Sequence, residues 1–410
     1  MIHVVVSCAI LMAIVISLVS AARHRGMNSA ISLGIVGAAI YSVPAILNVT
    51  SDFSIYLRQE DLLRQGDLRA QVNYLIFWVA VLLFCYLCPP LRVRWVELGR
   101  KNVVKYNSLF VSYAGLLVFA LQDGNPLFFL NPRDEQDYGL FYQLWRWFPV
   151  FAATYAFTSR SSRLIVYLIP LAVIFVMGDR TIPAITLFAV IMAKKEVQLN
   201  VRNVLLMAFF VYVSSFGKII YTAIKYNSLE IFTLVFDPQV IAHVMTRFEP
   251  LGIYNHLNLV IDKGITADYS DFFRGVFGNL LVVPSFFGID TNSFNSIINR
   301  YLNWEEFGLS GSYIAHWWVL LGEAGVFLGG SLYILILYLF DVMRRRANSL
   351  SYIAWTVAAA LMAIYCHRNG IDNTVAFFRQ IVIVVVILSL ASLLLTLGRS
   401  TGLGARPASQ

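Results

Sequence analysis

Arginines carry the most legible chemistry of this 410-residue chain. Arg146, Lys218 and Arg379 interrupt otherwise apolar segments, and Arg180 and Arg368 stand at the ends of two more. A charge at the centre of a bilayer costs at least about 2.5–3.5 kcal/mol. All five fall toward one face in the topology set out below, so an anionic partner is expected there. The planar guanidinium fork matches phosphate oxygens well, which makes phosphate the first anion to consider.

Four short constellations could hold such a ligand. Gly178–Asp179–Arg180 sits at a hairpin tip; the alternative is a snorkelling interface arginine paired with Asp179. Arg247, in Thr246–Arg247–Phe248–Glu249–Pro250, either binds the anion or is a solvated charge paired with Glu249. His316, in Gly311–Ser312–Tyr313–Ile314–Ala315–His316–Trp317–Trp318, opens a span. A histidine can take a proton from a hydroxyl near neutral pH, although Trp317 and Trp318 also suit an interfacial aromatic belt. Glu323 follows seven residues later, in Gly322–Glu323–Ala324–Gly325, and is expected on the same helix face. His367–Arg368–Asn369–Gly370–Ile371–Asp372 reads as a short polar turn. Arg379 lies two turns into the next span, ~10 Å deep, and is either a further anion contact or one half of a salt bridge to Glu323. Tyr254, Asn255 and His256 are candidate sugar contacts.

Familiar phosphate and hydrolase motifs are missing. There is no Walker A loop, HExxH or GxSxG, and no DxD pair to hold a divalent cation over a pyrophosphate. Cys85 and Cys88 form a CxxC with no second pair to complete a zinc site. Arginines are therefore expected to neutralise the anion with no metal and no cofactor. No basic–aromatic nucleic-acid motif occurs.

The elements that must position these residues are membrane helices. The chain is 59% hydrophobic and 13% charged, with a mean hydropathy of +0.70; soluble domains carry about 25% charged residues. An all-α polytopic fold of about eleven spans is expected, at 3–21, 29–48, 71–88, 108–122, 141–158, 164–178, 181–193, 204–222, 316–340, 351–367 and 375–397. The first is read as a retained span, because it lacks a basic leader. The segments 22–28, 89–107, 159–163, 194–203, 341–350 and 398–410 alternate correctly with the others and hold 17 Lys and Arg against three acids. That bias places the C-terminus inside and the N-terminus outside. The net charge of +8 is thus a topology signal. Three parts follow: helices in 1–222, a large outer loop in 223–315 with short surface helices folding back over the bundle, and helices in 316–410.

In this order the motifs resemble the O-antigen polymerase family, the Wzy-type polymerases of oligosaccharide repeat units. The likeness rests on Gly178–Asp179–Arg180, on Arg247 in a later large loop, on Val283–Pro284–Ser285, and on the block from Gly311 to Gly325. Trp317 departs from the pattern, which often places an asparagine after the histidine, and the interval from His316 to Glu323 is short for it. The resemblance implies a GT-C-like glycosyltransferase of the bacterial inner membrane with its active site on the periplasmic side. Such an enzyme transfers a sugar chain from undecaprenyl pyrophosphate onto a fresh lipid-linked repeat unit. With it, Arg180 and Arg247 are expected on the pyrophosphate, His316 as base and Glu323 near the substrate; the charge pattern adds Arg368, Arg379, Arg146 and Lys218 as expected substrate contacts. A chain-length-regulating membrane protein is the partner the resemblance implies. An O-antigen ligase and a non-enzymatic transporter of lipid-linked oligosaccharides remain the alternatives.

Overall fold

The computed structural model describes residues 2–51, 63–91, 103–125, 128–130, 139–159, 164–194, 228–237, 249–280, 298 and 312–402. Lys218, Arg247, Val283–Pro284–Ser285 and the span expected at 204–222 lie outside the described residues.

The helices follow from long apolar runs bounded by capping residues. In order they are α1 (Ile2–Arg25), α2 (Ala30–Leu47), α3 (Leu68–Leu87), α4 (Val103–Gln122), α5 (Gly139–Trp145), α6 (Trp147–Thr158), α7 (Leu164–Val176), α8 (Thr181–Ala193), α9 (Leu229–Thr233), α10 (Glu249–Asp262), α11 (Tyr269–Leu280), α12 (Tyr313–Arg346) and α13 (Ser349–Gly402). Ser29 caps α2, Asp67 caps α3 and Ser312 caps α12, each side chain accepting a first-turn N–H. A two-stranded antiparallel ribbon, β1 (Val49–Ser51) with β2 (Leu63–Gln65), joins α2 to α3 in the register Val49 opposite Gln65. Helices α1 to α4, α12 and α13 are long and apolar enough to cross a membrane. Val4, Val5, Met12 and Val15 on α1, and Val382, Val386 and Leu390 on α13, are exposed, as side chains facing lipid should be. This is an all-α membrane protein.

Two helices fold back, each at a glycine, and only the first of these reversals departs from the expected spans. Tyr313 donates a hydrogen bond to the Gly329 carbonyl at 2.9 Å. In a straight helix those residues would stand ~24 Å apart, so α12 folds back. The break is Gly322, at φ 60° and ψ −141°. Residues 313–321 form a short arm that runs back along the start of 323–346. The α13 helix folds the same way at Gly370, at φ 74° and ψ −170°. Tyr365 and Phe377 stack with ring centroids 4.3 Å apart, where a straight helix would separate them by ~18 Å. The expected turn at 367–372 is therefore a single glycine inside nearly continuous helix.

Gly370 has a second constraint, because a Cβ there would run into the buried imidazole of His316. Its backbone angles are in a region that side-chain-bearing residues rarely enter. Gly370→Ala should cost roughly 2–5 kcal/mol, combining backbone strain with overpacking. Gly322→Ala meets no neighbour within 4 Å and should lose only the strain, roughly 1–3 kcal/mol. Thermal unfolding of the two purified variants in detergent checks the order.

One end of the bundle is closed by a buried ion pair. Arg344 donates to Asp341 at 2.8 Å, to Thr356 at 3.1 Å and to the carbonyls of Met192 and Asn28 at 2.6 and 3.3 Å. Asp341 accepts the Ala30 N–H at the start of α2. Asn28 also donates to the Lys194 carbonyl. Three of the basic segments that the charge pattern assigned to one side thus meet at one end.

Candidate functional site

The opposite end gathers the other motifs. Helix α6 begins at Arg146, which breaks the expected span 141–158 into α5 and α6. Its guanidinium is buried, pairs with Asp179 at 3.1 Å, donates to Gln380 at 3.4 Å and lies over the Phe377 ring. Asp179 in turn caps α8, accepting the N–H groups of Thr181 and Ile182. Asp179 thus serves Arg146 and the helix start.

That leaves Arg180 to face elsewhere. It stands at the N-terminal edge of α8 in a half-buried position. Burial lowers its pKa, Glu249 raises it and Arg368 lowers it again. Arg180 is thus within electrostatic reach of both. Arg368 forms an ion pair with Glu249 at 2.5 Å and donates to the Thr181 hydroxyl. The Arg368 side chain is 27% exposed and that of Glu249 is 34% exposed, whereas Arg146 and Asp179 are 4% and 3% exposed. A sealed pair thus lies at the same end as a partly exposed one. Arg368 on α13 pairs with a carboxylate from α10, and Arg180 at the start of α8 lies within electrostatic range of both.

His316 lies on the α12 arm, fully buried, with Nδ1 4.0 Å from Asp372 Oδ1. Asp372 is two residues beyond the Gly370 fold, so the fold that positions Arg368 also sets Asp372 beside the imidazole. The ring is closed off from solvent, and it can reach a substrate hydroxyl only if α10 or the Gly370 fold shifts. Glu323 does not share its face. The reversal at Gly322 breaks the seven-residue helical spacing, leaving Glu323 exposed while His316 is buried. Arg379 is half-buried, on the limb of α13 beyond Gly370.

The chain matches no family model, no curated protein and no solved structure. The site is therefore read from its own geometry. Among the described residues, no group of three or more His, Cys, Asp or Glu is placed to hold a metal.

Helix α10 is the element that sequence reasoning placed least well. It was expected on the surface, yet Tyr254, His256 and Leu257 are fully buried. Its body is pinned: Thr50 donates to Asn255 at 2.7 Å, the Asp67 N–H donates to Asn258 at 2.9 Å, and Tyr254 packs edge-on to Tyr74. Tyr254 and Asn255 thus hold the helix to the ribbon and to α3. Helix α11 fits the surface expectation better, with Tyr269, Phe273 and Phe277 exposed. His367, beside Arg368, sits among the rings of Tyr41, Phe77, Tyr313 and Tyr333. Glu249 and Asp372 are the two acids whose roles the sequence did not reveal. The signal available was their position, next to an arginine and a histidine motif.

His256 has a measurable consequence. It is buried beside His316, and neither of its ring nitrogens has a hydrogen-bond partner among the described residues. Burial above all, and then His316, pushes its pKa down to about 3. Between about pH 6.5 and 3 the unfolded chain binds a proton that the folded chain refuses. Its stabilising contribution is thus complete above about pH 7 and declines as pH falls. Acidification from pH 7.5 to 5 should cost about 2 kcal/mol through this residue. In thermal unfolding, His256→Leu should show a correspondingly shallower loss over that range.

Proposed function

We propose that the protein polymerises oligosaccharide repeat units carried on undecaprenyl pyrophosphate, by glycosyl transfer at the periplasmic face of a bacterial inner membrane. The observation that carries this reading is the partly exposed Arg368–Glu249 ion pair, within electrostatic range of Arg180 and at the same end as His316. Arg247 lies two residues before Glu249 in sequence, so it is proposed to join them. The proposed whole is an eleven-span, GT-C-type fold with its N-terminus periplasmic.

In the proposed reaction the acceptor hydroxyl oxygen bonds to the anomeric carbon of the donor chain. The bond from that carbon to the bridging phosphate oxygen breaks, and its electron pair stays on the oxygen. Once the Gly370 fold shifts to uncover His316, the hydroxyl proton passes to its imidazole, and Asp372 steadies the imidazolium that forms. Arg180 and Arg368 meet the charge that develops on the leaving diphosphate. Arg146 acts through Asp179, by fixing the start of α8. The isoprenoid tail stays in lipid, along the exposed apolar helix faces.

The test is product identity. The purified protein in vesicles should convert lipid-linked repeat units into a ladder of longer lipid-linked glycans and release isoprenyl diphosphate. Glycan appearing on lipid A would make it a ligase. Unaltered substrate moved across the bilayer would make it a transporter, and either result ends the polymerase reading.

A further inference from the structure

The arginine site already holds an anion, and that anion is part of the chain. Glu249 occupies the space beside Arg368, and its charge is felt at Arg180. Among the described residues, this end sets Arg146, Arg180 and Arg368 against Asp179 and Glu249, while Asp372 lies beside His316. Asp179 is committed to Arg146 and to the α8 start. Among the described residues Glu249 forms no second ion pair, and α10 is held by Asn255, Asn258 and Tyr254 further along. It stands at the first position of α10 and is partly exposed. Its side chain can therefore turn away into water while the helix stays in place.

From this, and resting on the proposed diphosphate reading, we infer that Glu249 is an internal competitor for the substrate's diphosphate group. It neutralises Arg180 and Arg368 while the site is empty, leaves when a diphosphate arrives, and returns as the product diphosphate departs. A diphosphate carries more charge and more acceptor oxygens than one carboxylate, so it wins the exchange. The paired atoms are shielded, but the Glu249 side chain as a whole is 34% exposed, so the displaced carboxylate can turn into water. Such an arrangement keeps partly buried guanidinium groups paired between turnovers and limits how tightly product is retained.

Farnesyl diphosphate is a suitable probe, titrated against the full-length protein in nanodiscs. Glu249→Gln should bind it about two- to fivefold more tightly than wild type, the range expected for removing one partly screened charge pair. The gain should shrink in the Arg368→Gln background, because Glu249 has lost its direct ion-pair partner there and acts only at longer range on Arg180. Arg180→Ala should weaken binding in either background. If Glu249→Gln binds no more tightly than wild type while Arg180→Ala still loses affinity, Glu249 is no competitor and the inference is overturned. If Arg180→Ala and Arg368→Gln both bind as wild type does, the diphosphate site itself is misplaced, and the inference goes with it. The Arg368→Gln cycle also separates competition from a change in folding, which would alter binding in both backgrounds.

Discussion

Arg368→Ala is expected to slow chain extension about 10²–10³-fold while the protein stays folded and inserted. The size follows from removing one fixed donor aimed at a developing oxyanion. One feature of the site sharpens it: the Glu249 carboxylate left behind then faces the incoming diphosphate without its ion-pair partner, with Arg180 alone to offset it. Arg180→Ala should lose a similar factor. Arg180→Lys should recover only part of it, because an ammonium supplies the charge without the paired donors. Arg146→Ala should behave differently. That guanidinium is buried against Asp179, so its removal should first lower thermal stability, as loss of a buried partner does. Initial rates of polymer formation, read beside the unfolding temperature of each variant, separate the two kinds of loss.

The largest loss of stability is expected at the other end of the bundle. Arg344→Ala should cost about 3–5 kcal/mol, the usual penalty for stranding one member of a buried ion pair. The Asp341 carboxylate would stay buried, holding only its bond to the Ala30 N–H among those described above, and the Met192 carbonyl would lose its guanidinium donor. Its neighbours make the control. Arg345 and Arg346 are exposed, and alanine at either should change stability by no more than about 0.5 kcal/mol. Combining Arg344→Met with Asp341→Asn should recover part of the loss, since no charge is then left unpaired. Thermal unfolding in detergent distinguishes these outcomes, and a flat result across all three arginines would remove the clasp at 341–344.

Long-range order in the sequence was readable where one rule acted on many residues. Among the described residues most of the apolar runs became helices within a few residues of their expected ends, and the grouping of Asn28, Lys194 and Arg344 follows from charge alternation. What escaped was decided by single residues. The sequence Gly322–Glu323–Ala324–Gly325 is compatible with an unbroken apolar helix, and only the backbone angles of Gly322 reveal the reversal that parts Glu323 from His316. Arg146 was expected near the substrate, and its burial against Asp179 depends on a contact across 33 residues. Glu249 was visible only as a partner for Arg247; its pairing with Arg368 depends on how α10 docks. Periodicity reports which face of a helix is apolar, but it does not say which of several nearby acids reaches a given arginine.

A photoreactive isoprenyl diphosphate bound to the purified protein would show most directly where the diphosphate is held. After irradiation, digestion and mass mapping, label should appear on peptides containing Arg180, Arg368 and the start of α10 at Glu249, and should fall when unlabelled diphosphate competes. Competed label confined to the Asp341–Arg344 end, or unchanged in the Arg180→Ala, Arg368→Ala double variant, would contradict a diphosphate held by these arginines.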